Sequence, residues 1–353
     1  MSRVTMKDIA EVMGVSVMTV SNAFNRPDQL SAELRARILG RAEKMGYGGP
    51  HAAARQLRSG RTNAYGVVFS ERLSYAFNDP FSVLWLSGLA RALEGAGAAM
   101  VLLSVHGTED SDLEVFRNAS VDGVAGRCAT HPAMRVAIAR GLPVVSTDPE
   151  DPAGSWVAID DHLAGVQLGQ YLRRLGHTDV VIVAARHLVG STTPTPTQAS
   201  VAEYSATIEA VRRAGFYDTW ARLSGIVEGL DTIRPRILTA GWNARDTGRR
   251  AGGMALDRQD RPTAIVCLSD VLALGVLDAM ADRGLAPGRE ISVTGFDDLP
   301  DAARAALTTV RQPIVEKGRL VGELLLDPER QPRRIMLGHS LIVRSSTGPA
   351  PFA

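Results

Sequence analysis

The sequence has little cysteine and little uninterrupted apolar sequence. Its two cysteines, Cys128 and Cys267, lie in apolar contexts and match no disulfide or metal-ligand spacing, so we expect both to be reduced. No apolar run approaches the roughly 18 residues that a membrane-spanning helix needs. The acidic residues Asp8 and Glu11 interrupt the N-terminus, which is unlike a signal peptide. The sequence therefore predicts a cytoplasmic protein with no membrane partner.

Motifs of catalysis are also missing. The sequence contains no nucleophile elbow and no phosphate-binding P-loop, and its seven histidines are scattered. We therefore expect no enzymatic activity, no cofactor and no metal site. Only three of the 39 basic residues are lysines, so an isolated arginine is weak evidence for a functional site.

The N-terminal segment 4–25 reads as two short helices joined by a tight turn. Thr5 and Asp8 have the spacing of a capping box, which satisfies free backbone N–H groups at the start of a helix. Gly14 can adopt the left-handed conformation that ends a helix, and Ser16 caps the second helix. Two helices about a short glycine-containing turn are typical of the helix-turn-helix, whose second helix enters the DNA major groove.

Apolar spacing predicts a third helix over 31–45 and a small core shared by all three helices. The third helix would begin at the capping residue Ser31. The residues expected to face the core are Ile9, Val12, Met13, Val20, Phe24, Leu34, Ile38 and Ala42. A domain this small buries little apolar surface, so we expect it to be only marginally stable on its own.

Charge separates this head from the rest of the chain. Residues 1–62 contain ten basic and five acidic residues, whereas the remainder contains 29 basic and 33 acidic residues. A head of charge +5 is therefore joined to a body of charge −4. Amphipathic helix pairs with a glycine turn also occur in proteins that bind no DNA, but this asymmetry is typical of contact with phosphates.

From residue 63 onward, short apolar segments alternate with amphipathic ones. The predicted strands are 65–70, 99–105, 123–126, 143–147, 180–184, 264–268 and 291–295, and the predicted helices are 83–95, 133–140, 164–175, 203–214 and 271–283. Such alternation is typical of parallel sheets covered by helices on both faces. Two series in succession predict an α/β fold of two doubly wound subdomains, with a ligand site at the carboxyl ends of the strands.

Several motifs, in this order, resemble those of the LacI/GalR family of bacterial transcriptional regulators, and the resemblance covers nearly the whole chain. In the head they are Val-Thr-x-x-Asp-Ile-Ala at 4–10, Gly-Val-Ser-x-x-Thr-Val-Ser at 14–21 and Met-Gly-Tyr at 45–47. After it come Ala-Ala-Arg-Gln-Leu-Arg-Ser-Gly-Arg-Thr at 53–62, Val-Ala-Ile-Asp-Asp at 157–161, Leu-Gly-His at 175–177, Gly-Phe-Asp-Asp at 295–298, Leu-Thr-Thr-Val-Arg-Gln-Pro at 307–313 and Leu-Ile-Val-Arg-Ser-Ser-Thr at 341–347.

The resemblance implies a three-helix helix-turn-helix head followed by a periplasmic-binding-protein-like effector domain. The implied boundaries are 1–49 for the DNA-binding head, 50–62 for a hinge helix and linker, and 63–353 for the effector-binding and dimerisation domain. Within the last, subdomain one comprises about 63–160 and 314–341, and subdomain two about 161–313 and 342–353. It also implies that the chain crosses between the subdomains near Asp160, Gln312 and Leu341.

The resemblance assigns base reading to three positions of the second helix, which are Val17, Met18 and Asn22. Asn can form a paired hydrogen bond with adenine, whereas Val and Met can pack only against apolar features such as a thymine methyl. Burial of Val17 and Met18 in the core of the head is the alternative. The residues matching positions that donate to phosphates are Thr5, Ser16, Thr19, Ser21, Asn25 and Tyr47.

The hinge segment around Arg55 and Leu57 is a further implied DNA contact. In the family it folds into a short helix in the minor groove, where its leucine, Leu57 here, wedges between base pairs. About seven residues cannot hold a helix alone in water, so the DNA and the hinge of a second copy would have to stabilise it. A simple flexible linker is the alternative, although Ala-Ala-Arg-Gln-Leu lacks the glycine and serine typical of one.

The resemblance also implies an effector site in the cleft between the subdomains. Its candidate residues are Asp148, Ser200, Trp242, Ser269 and Asp297, and the segment 71–81, interpreted as a loop, would form part of the wall. Asp297 could instead cap the turn after its strand. At Ser200 the family usually carries an arginine that contacts the effector, and Glu203 replaces the glycine that accompanies it. We therefore expect a pocket without that guanidinium, and a member that senses no ligand stays an open alternative.

Together these features predict a transcriptional repressor that binds a pseudo-palindromic operator in double-stranded DNA. A small polar effector, a sugar being one candidate, would control it from the cleft. The alternative is a solute-binding protein of the same two-subdomain fold without a DNA role, and the basic head over residues 1–62 speaks against it.

Symmetry gives a prediction about assembly. A single head contacts too few base pairs for useful specificity, and the family binds DNA as two-fold dimers. We expect a homodimer at micromolar concentration in analytical ultracentrifugation. A monomer or a tetramer under the same conditions would contradict this prediction.

Overall fold

A computed structural model of the chain describes residues 4–49, 60–105, 113–127, 131–149, 154–185, 197–212, 216–327, 329 and 331–351. The chain divides into two compact units, Met1–Thr62 and Asn63–Ala353. Within the described ranges, no helix is long and apolar enough to cross a membrane.

The described part of the first unit contains three helices, α1 (Met6–Met13), α2 (Val17–Asn25) and α3 (Ala32–Lys44), with a 3-10 turn at Pro27–Gln29. The predicted capping box at its start is confirmed, since the Thr5 hydroxyl accepts from the Asp8 amide and the Asp8 side chain accepts from the Thr5 amide. Gly14 ends α1 with φ of 63°, a conformation that glycine adopts without steric cost. The Ser16 and Ser31 hydroxyls cap α2 and α3 as expected.

The core of the head is built from fully buried residues of all three helices, including Ile9, Val20 and Ile38. One expectation about this core is wrong, because Val12 is 48% exposed. In the two turns of α1 the buried face is formed by Ile9, Ala10 and Met13, and Val12 lies at its solvent edge.

The described part of the second unit contains two sheets. The first consists of β1 (Ala64–Phe69), β2 (Ala99–Ser104), β3 (Val124–Gly126), β4 (Val144–Ser146), β5 (Ser155–Ile159) and β12 (Arg334–Leu337). The second consists of β6 (Val180–Ala184), β7 (Thr197–Ala199), β8 (Arg236–Thr239), β9 (Ala264–Cys267), β10 (Ser292–Asp297), β11 (Thr308–Arg311) and β13 (Ser340–Ile342). The helices are α4 (Leu73–Asn78), α5 (Pro80–Gly95), α6 (Glu114–Arg117), α7 (Pro132–Ala139), α8 (Asp161–Arg174), α9 (Val201–Arg212), α10 (Tyr217–Leu230), α11 (Arg245–Leu256), α12 (Asp270–Ala281), α13 (Pro300–Arg304) and α14 (Ile314–Leu326).

The strand order shows two doubly wound, mostly parallel sheets, as the sequence predicted. The first sheet has the order β12-β5-β4-β3-β1-β2, and its described pairs are all parallel. The second has the order β13-β11-β10-β9-β6-β8-β7, and only its edge strands β13 and β7 pair antiparallel. The chain leaves the first sheet after β5, returns to it for β12, and ends in the second sheet with β13.

Helices α4, α6, α13 and α14 of this unit were not predicted from the sequence. Segment 71–81, interpreted as a loop, contains α4 and the start of α5, which Asp79 caps and Pro80 begins. Helices α10 and α11 were not predicted either. Both carry interior glycines, which lower helix propensity and interrupt the apolar stripe by which a helix is recognised.

Those glycines allow helices to approach each other closely. A Cβ atom at Gly225 of α10 would lie 2.0 Å from the backbone oxygen of His162 in α8, and one at Gly165 would lie 2.5 Å from the backbone oxygen of Arg222. Gly169 and Gly229 repeat the arrangement one turn later. The two helices are therefore in backbone contact, and the side chains beside the crossing lie within hydrogen-bonding reach of the opposite helix.

Substitution of Gly225 tests how strictly this contact is required. Gly225→Ala should lower the free energy of unfolding by roughly 1–3 kcal/mol, because the added methyl meets backbone atoms that cannot turn away. Gly95→Ala is the control, since nothing lies within 4 Å of a Cβ there. We expect the control to change stability by less than about 1 kcal/mol in urea denaturation. Equal effects of the two substitutions would contradict the close contact.

Candidate functional site

In the first unit, the start of α2 presents an apolar surface. Val17 is 45% exposed and Met18 is 71% exposed, so neither belongs to the core of the head. Asn22 lies one turn beyond Met18 and is partly buried. Its side chain makes no hydrogen bond with the described residues, so its amide is available to a partner.

The polar side chains next to these positions are held by local hydrogen bonds. The Ser16 hydroxyl accepts from the Thr19 amide at 3.0 Å and lies 2.8 Å from the Thr19 hydroxyl. The Asn25 amide donates to the Ser21 carbonyl oxygen at 3.0 Å. These bonds fix the rotamers of the four side chains against the helix.

Aromatic and charged contacts fix α2 against the rest of the head. The Tyr47 ring lies edge-on to the Phe24 ring, with 5.7 Å between the ring centroids. Arg35 of α3 donates through Nε to the Ala23 carbonyl oxygen near the end of α2, at 3.1 Å. The DNA-binding candidates Arg55 and Leu57 lie outside the described residues.

In the second unit, a polar pocket of about 470 Å³, counting its open mouth, lies at the carboxyl ends of strands from both sheets. Arg127 follows β3 of the first sheet, Ser269 follows β9, and Asp297 ends β10 of the second sheet. The other lining residues are Tyr75, Asp79, Phe81, Ala185, Asp218, Thr219, Arg222, Asn243, Leu268 and Leu272. This is the place where doubly wound sheets bind ligands.

Arg222 of α10 is the buried cation on the side of the second sheet. Its Nε donates to Asp161 Oδ1 at 2.8 Å, and one terminal nitrogen donates to the Leu268 carbonyl oxygen at 3.0 Å. The same nitrogen lies 3.6 Å from Asp297 Oδ1, and the guanidinium carbon is 3.8 Å from the centroid of the Phe296 ring. The close crossing of α8 and α10 brings Asp161 within this reach.

Asp297 is a buried carboxylate in an unusual backbone conformation. Its φ is 121°, in the region that L-residues rarely adopt, and its Oδ1 accepts from Gln312 Nε2 at 2.7 Å. Burial raises the pKa of Asp297 well above its usual value, and the charges of Asp270 and Asp79 add to the increase against the opposing effect of Arg222. The surroundings therefore disfavour the charged form of the Asp297 carboxyl group, and a further hydrogen-bond donor would stabilise that form.

A buried lysine completes this hydrogen-bonded chain. Lys317 of α14 donates through Nζ to Gln312 Oε1 at 2.7 Å. Because Oε1 is occupied, the amide nitrogen of Gln312 is directed to Asp297. Burial lowers the pKa of Lys317, with nearby Arg222 adding to the decrease and Asp161 opposing it.

Arg127 is the cation on the side of the first sheet. It donates to Asp218 at 2.8 Å and lies over the Phe81 ring, 5.4 Å from its centroid. Burial opposes its charge, but the carboxylates of Asp218, Glu71 and Asp79 outweigh that effect and raise the pKa of Arg127. The guanidinium is therefore charged and already neutralised by carboxylates.

Asp79 of the pocket wall uses only one of its two carboxylate oxygens in hydrogen bonds among the described residues. Its Oδ2 caps α5 by accepting from the Ser82 amide at 3.1 Å and from the Ser82 hydroxyl at 2.6 Å. Its Oδ1 is buried and has no hydrogen-bond partner among the described residues. A buried acceptor left unpaired is costly, so this atom calls for a donor from a ligand or a water molecule.

The sequence-derived effector residues do not all lie together. Ser269 and Asp297 line the pocket, and the ring of Trp242 lies 6.3 Å from that of Tyr75 in the pocket wall. Asp148 is buried just beyond β4 and is not a lining residue of this pocket. Ser200 caps the start of α9 by accepting from the Glu203 amide at 3.2 Å, and it borders a separate open groove.

The expectation that the pocket lacks a guanidinium is wrong, since both Arg222 and Arg127 line it. Arg222 precedes Gly225 by three residues, which is the spacing that the family's arginine and glycine would have at Ser200 and Glu203. Sequence reasoning missed Arg222 because α10 had not been recognised. Arg127 could have been found, since it directly follows a predicted strand end, where ligand-binding side chains gather.

Two family models match the chain. Residues 5–48 match the model of bacterial regulatory proteins of the lacI family, and residues 170–347 match that of a periplasmic binding protein-like domain. One match therefore falls in the predicted DNA-binding head, and the other falls in the predicted effector-binding domain.

Whole-length relatives have the same organisation. An HTH-type transcriptional regulator of Mycobacterium tuberculosis is 36% identical over 356 residues, which cover 98% of each chain. The HTH-type transcriptional regulator IpsA of Corynebacterium glutamicum is 35% identical over 333 residues, covering 91% of this chain and 90% of the relative. The crystal structure of a LacI-family transcriptional regulator from Corynebacterium glutamicum is 30% identical, with a TM-score of 0.68 and coverage of 99% of this chain and 100% of the other. Given these matches and its two-part α/β structure, the chain belongs to the LacI family of DNA-binding transcriptional regulators.

Proposed function

We propose that the protein is a repressor that binds a pseudo-palindromic operator as a homodimer and is controlled by a small uncharged polyhydroxy ligand in the pocket between its two sheets. The observation that carries the ligand part is Asp79 Oδ1, a buried acceptor without a partner among the described residues. The lacI-family head over residues 5–48 favours this function over that of a solute-binding protein without a DNA role.

The balance of charges in the pocket supports an uncharged ligand. Arg127 is already paired with Asp218, and Arg222 with Asp161, each at 2.8 Å. The remaining lining acids are Asp79 and Asp297, and a phosphate or a carboxylate would place a further negative charge beside them. Hydroxyl groups suit both the carboxylates and the guanidinium groups of the pocket, because each hydroxyl can donate to a carboxylate and accept from a guanidinium.

The hydrogen-bonded chain at Asp297 supports control of the protein by that ligand. Asp297 belongs to the second sheet, and Lys317 belongs to α14, which packs on the first. Gln312 joins them at the point where the chain passes between the sheets. A ligand bound to Asp297 would therefore act on a contact between subdomains, and any effect on DNA affinity must be reciprocated in ligand affinity.

Asp79→Asn tests the ligand class. Asparagine keeps one oxygen to cap α5 but places an amide donor where Oδ1 lies, so affinity for a polyhydroxy ligand should fall roughly ten-fold or more. The panel would contain ribose, galactose, glucitol and cellobiose, with ribose 5-phosphate and galacturonate as anionic counterparts. Binding would be measured by thermal shift and then by calorimetry.

The matched control is Asp246→Asn, which removes an exposed carboxylate paired with Arg250. It should bind as the unsubstituted protein does. Binding of the anionic compounds alone, or unchanged affinity in Asp79→Asn, would contradict the proposed ligand class.

We assign base reading to Val17, Met18 and Asn22, and phosphate contact to Thr5, Ser16, Thr19, Ser21, Asn25 and Tyr47, with Arg55 and Leu57 as hinge contacts. The exposure of the first two side chains and the unengaged amide of Asn22 support base reading. The basic character of residues 1–62 supports phosphate contact.

Two substitutions separate reading from positioning. Asn22→Ala should cost roughly 1–3 kcal/mol on a selected operator and relax the preference at one base pair in each half-site. Tyr47→Phe keeps the ring that contacts Phe24 and removes one hydroxyl, so it should weaken binding to all sequences about equally. Fluorescence anisotropy with single-base operator variants measures both. Unaltered base preference in Asn22→Ala would show that Asn22 does not read a base.

A further inference from the structure

The start of α2 combines two features that together indicate what it reads in DNA. Its two exposed side chains, Val17 and Met18, are adjacent and contain no strong hydrogen-bonding group. The N-terminal residues of a recognition helix are the ones that meet base edges in the major groove. A helix start that meets base edges with apolar side chains cannot read them by hydrogen bonds at these two positions.

Neighbouring polar groups do not supply the missing hydrogen bonds. The Ser16 and Thr19 hydroxyls, on either side of Val17 and Met18, bond to each other and to the helix start. Ser21 is engaged by Asn25 in the next turn. Among these residues, Asn22 alone offers an uncommitted amide, so at most one base pair per half-site is read by an amide from this surface.

The core of the head does not need the two apolar side chains. It is closed by Ile9, Val20, Ala23, Ile38 and Ala42, which are at most 1% exposed. Covering Val17 and Met18 with a partner would remove apolar surface from water without disturbing that core. A DNA site that covers these two side chains must therefore present an apolar group in its major groove.

The major groove offers one such feature, the C5-methyl group of thymine. We propose that this protein selects its half-site by thymine methyl groups packed against Val17 and Met18, with Asn22 reading an adjacent adenine. The inference rests on the proposed operator binding and specifies its chemistry. The sequence preference at these positions then comes from a methyl group and not from a donor–acceptor pattern.

Replacing thymine by deoxyuridine removes only that methyl group and tests the inference directly. A consensus duplex would first be selected from a random pool with the full-length protein. Each thymine of one half-site would then be replaced singly by deoxyuridine, and affinity measured by fluorescence anisotropy at fixed salt. We expect one or two positions at which affinity falls about four-fold, which corresponds to about 0.8 kcal/mol for one buried carbon group.

A double-mutant cycle assigns each methyl group to a side chain. In Val17→Ala, replacing thymine by deoxyuridine at one position should no longer lower the affinity. In Met18→Ala, the same replacement at a different position should no longer lower it. Asn22→Ala is the matched control, since it should relax adenine preference and keep the thymine effects. Both apolar side chains are exposed, so thermal unfolding of these variants should be unchanged.

Several outcomes would overturn the inference. They are a consensus without thymine in the base pairs that α2 contacts, deoxyuridine duplexes that bind as the thymine duplexes do, and methyl effects that persist equally in Val17→Ala and Met18→Ala. Failure to enrich any duplex would instead contradict the proposed operator binding itself, so the two failures are distinguishable.

Discussion

The backbone contact between α8 and α10 is the constraint on which the ligand pocket depends. Gly165 and Gly225 let the two helices approach until a methyl group on either would overlap a carbonyl oxygen. At this separation Arg222 donates to Asp161 at 2.8 Å and also lies 3.6 Å from Asp297. Burying these three charges is costly unless each has a partner, so the helix crossing and the charge network require each other. A change in helix spacing would leave a buried charge uncompensated.

Asp297 connects that network to the other sheet. Its φ of 121° is a strained conformation for an aspartate, and such conformations persist only where the surroundings hold them. Gln312 holds the side chain from the crossover segment, and Lys317 fixes the orientation of Gln312. Strain, burial and an unfavourable charge therefore meet at one residue on the pocket wall. A ligand that donates to Asp297 would relieve part of this cost, and it would do so beside the contact between the two sheets.

The features that the sequence could predict are those formed by interactions between residues that are close together in the chain. The capping residues Thr5, Ser16 and Ser31 were identified because a cap is formed within four residues. Strands β1 to β4, β6, β9 and β10 were identified because buried parallel strands are continuous apolar runs, whereas the sequence did not predict β5, β7, β8, β11, β12 and β13. Arg222 was missed because Gly225 and Gly229 interrupt the apolar pattern of α10, and the close helix contact that they allow involves residues distant in the sequence. The resemblance placed the position of a ligand-contacting arginine at Ser200, where the structure has the cap of α9, whereas Arg222 lines the pocket.

The charged residues have different roles in the two units. The head carries an excess of positive charge, and its attraction to phosphates acts on any DNA sequence and weakens with salt. In the proposed assignment, discrimination comes from short-range contacts at the start of α2, where Met18 is 71% exposed and Asn22 makes no side-chain hydrogen bond with the described residues. Apolar contact is nearly insensitive to salt, so affinity and selectivity in the head have separable physical origins. In the pocket both guanidinium groups are already paired with carboxylates, so in the proposed function affinity and selectivity for a ligand come from the same few hydrogen bonds.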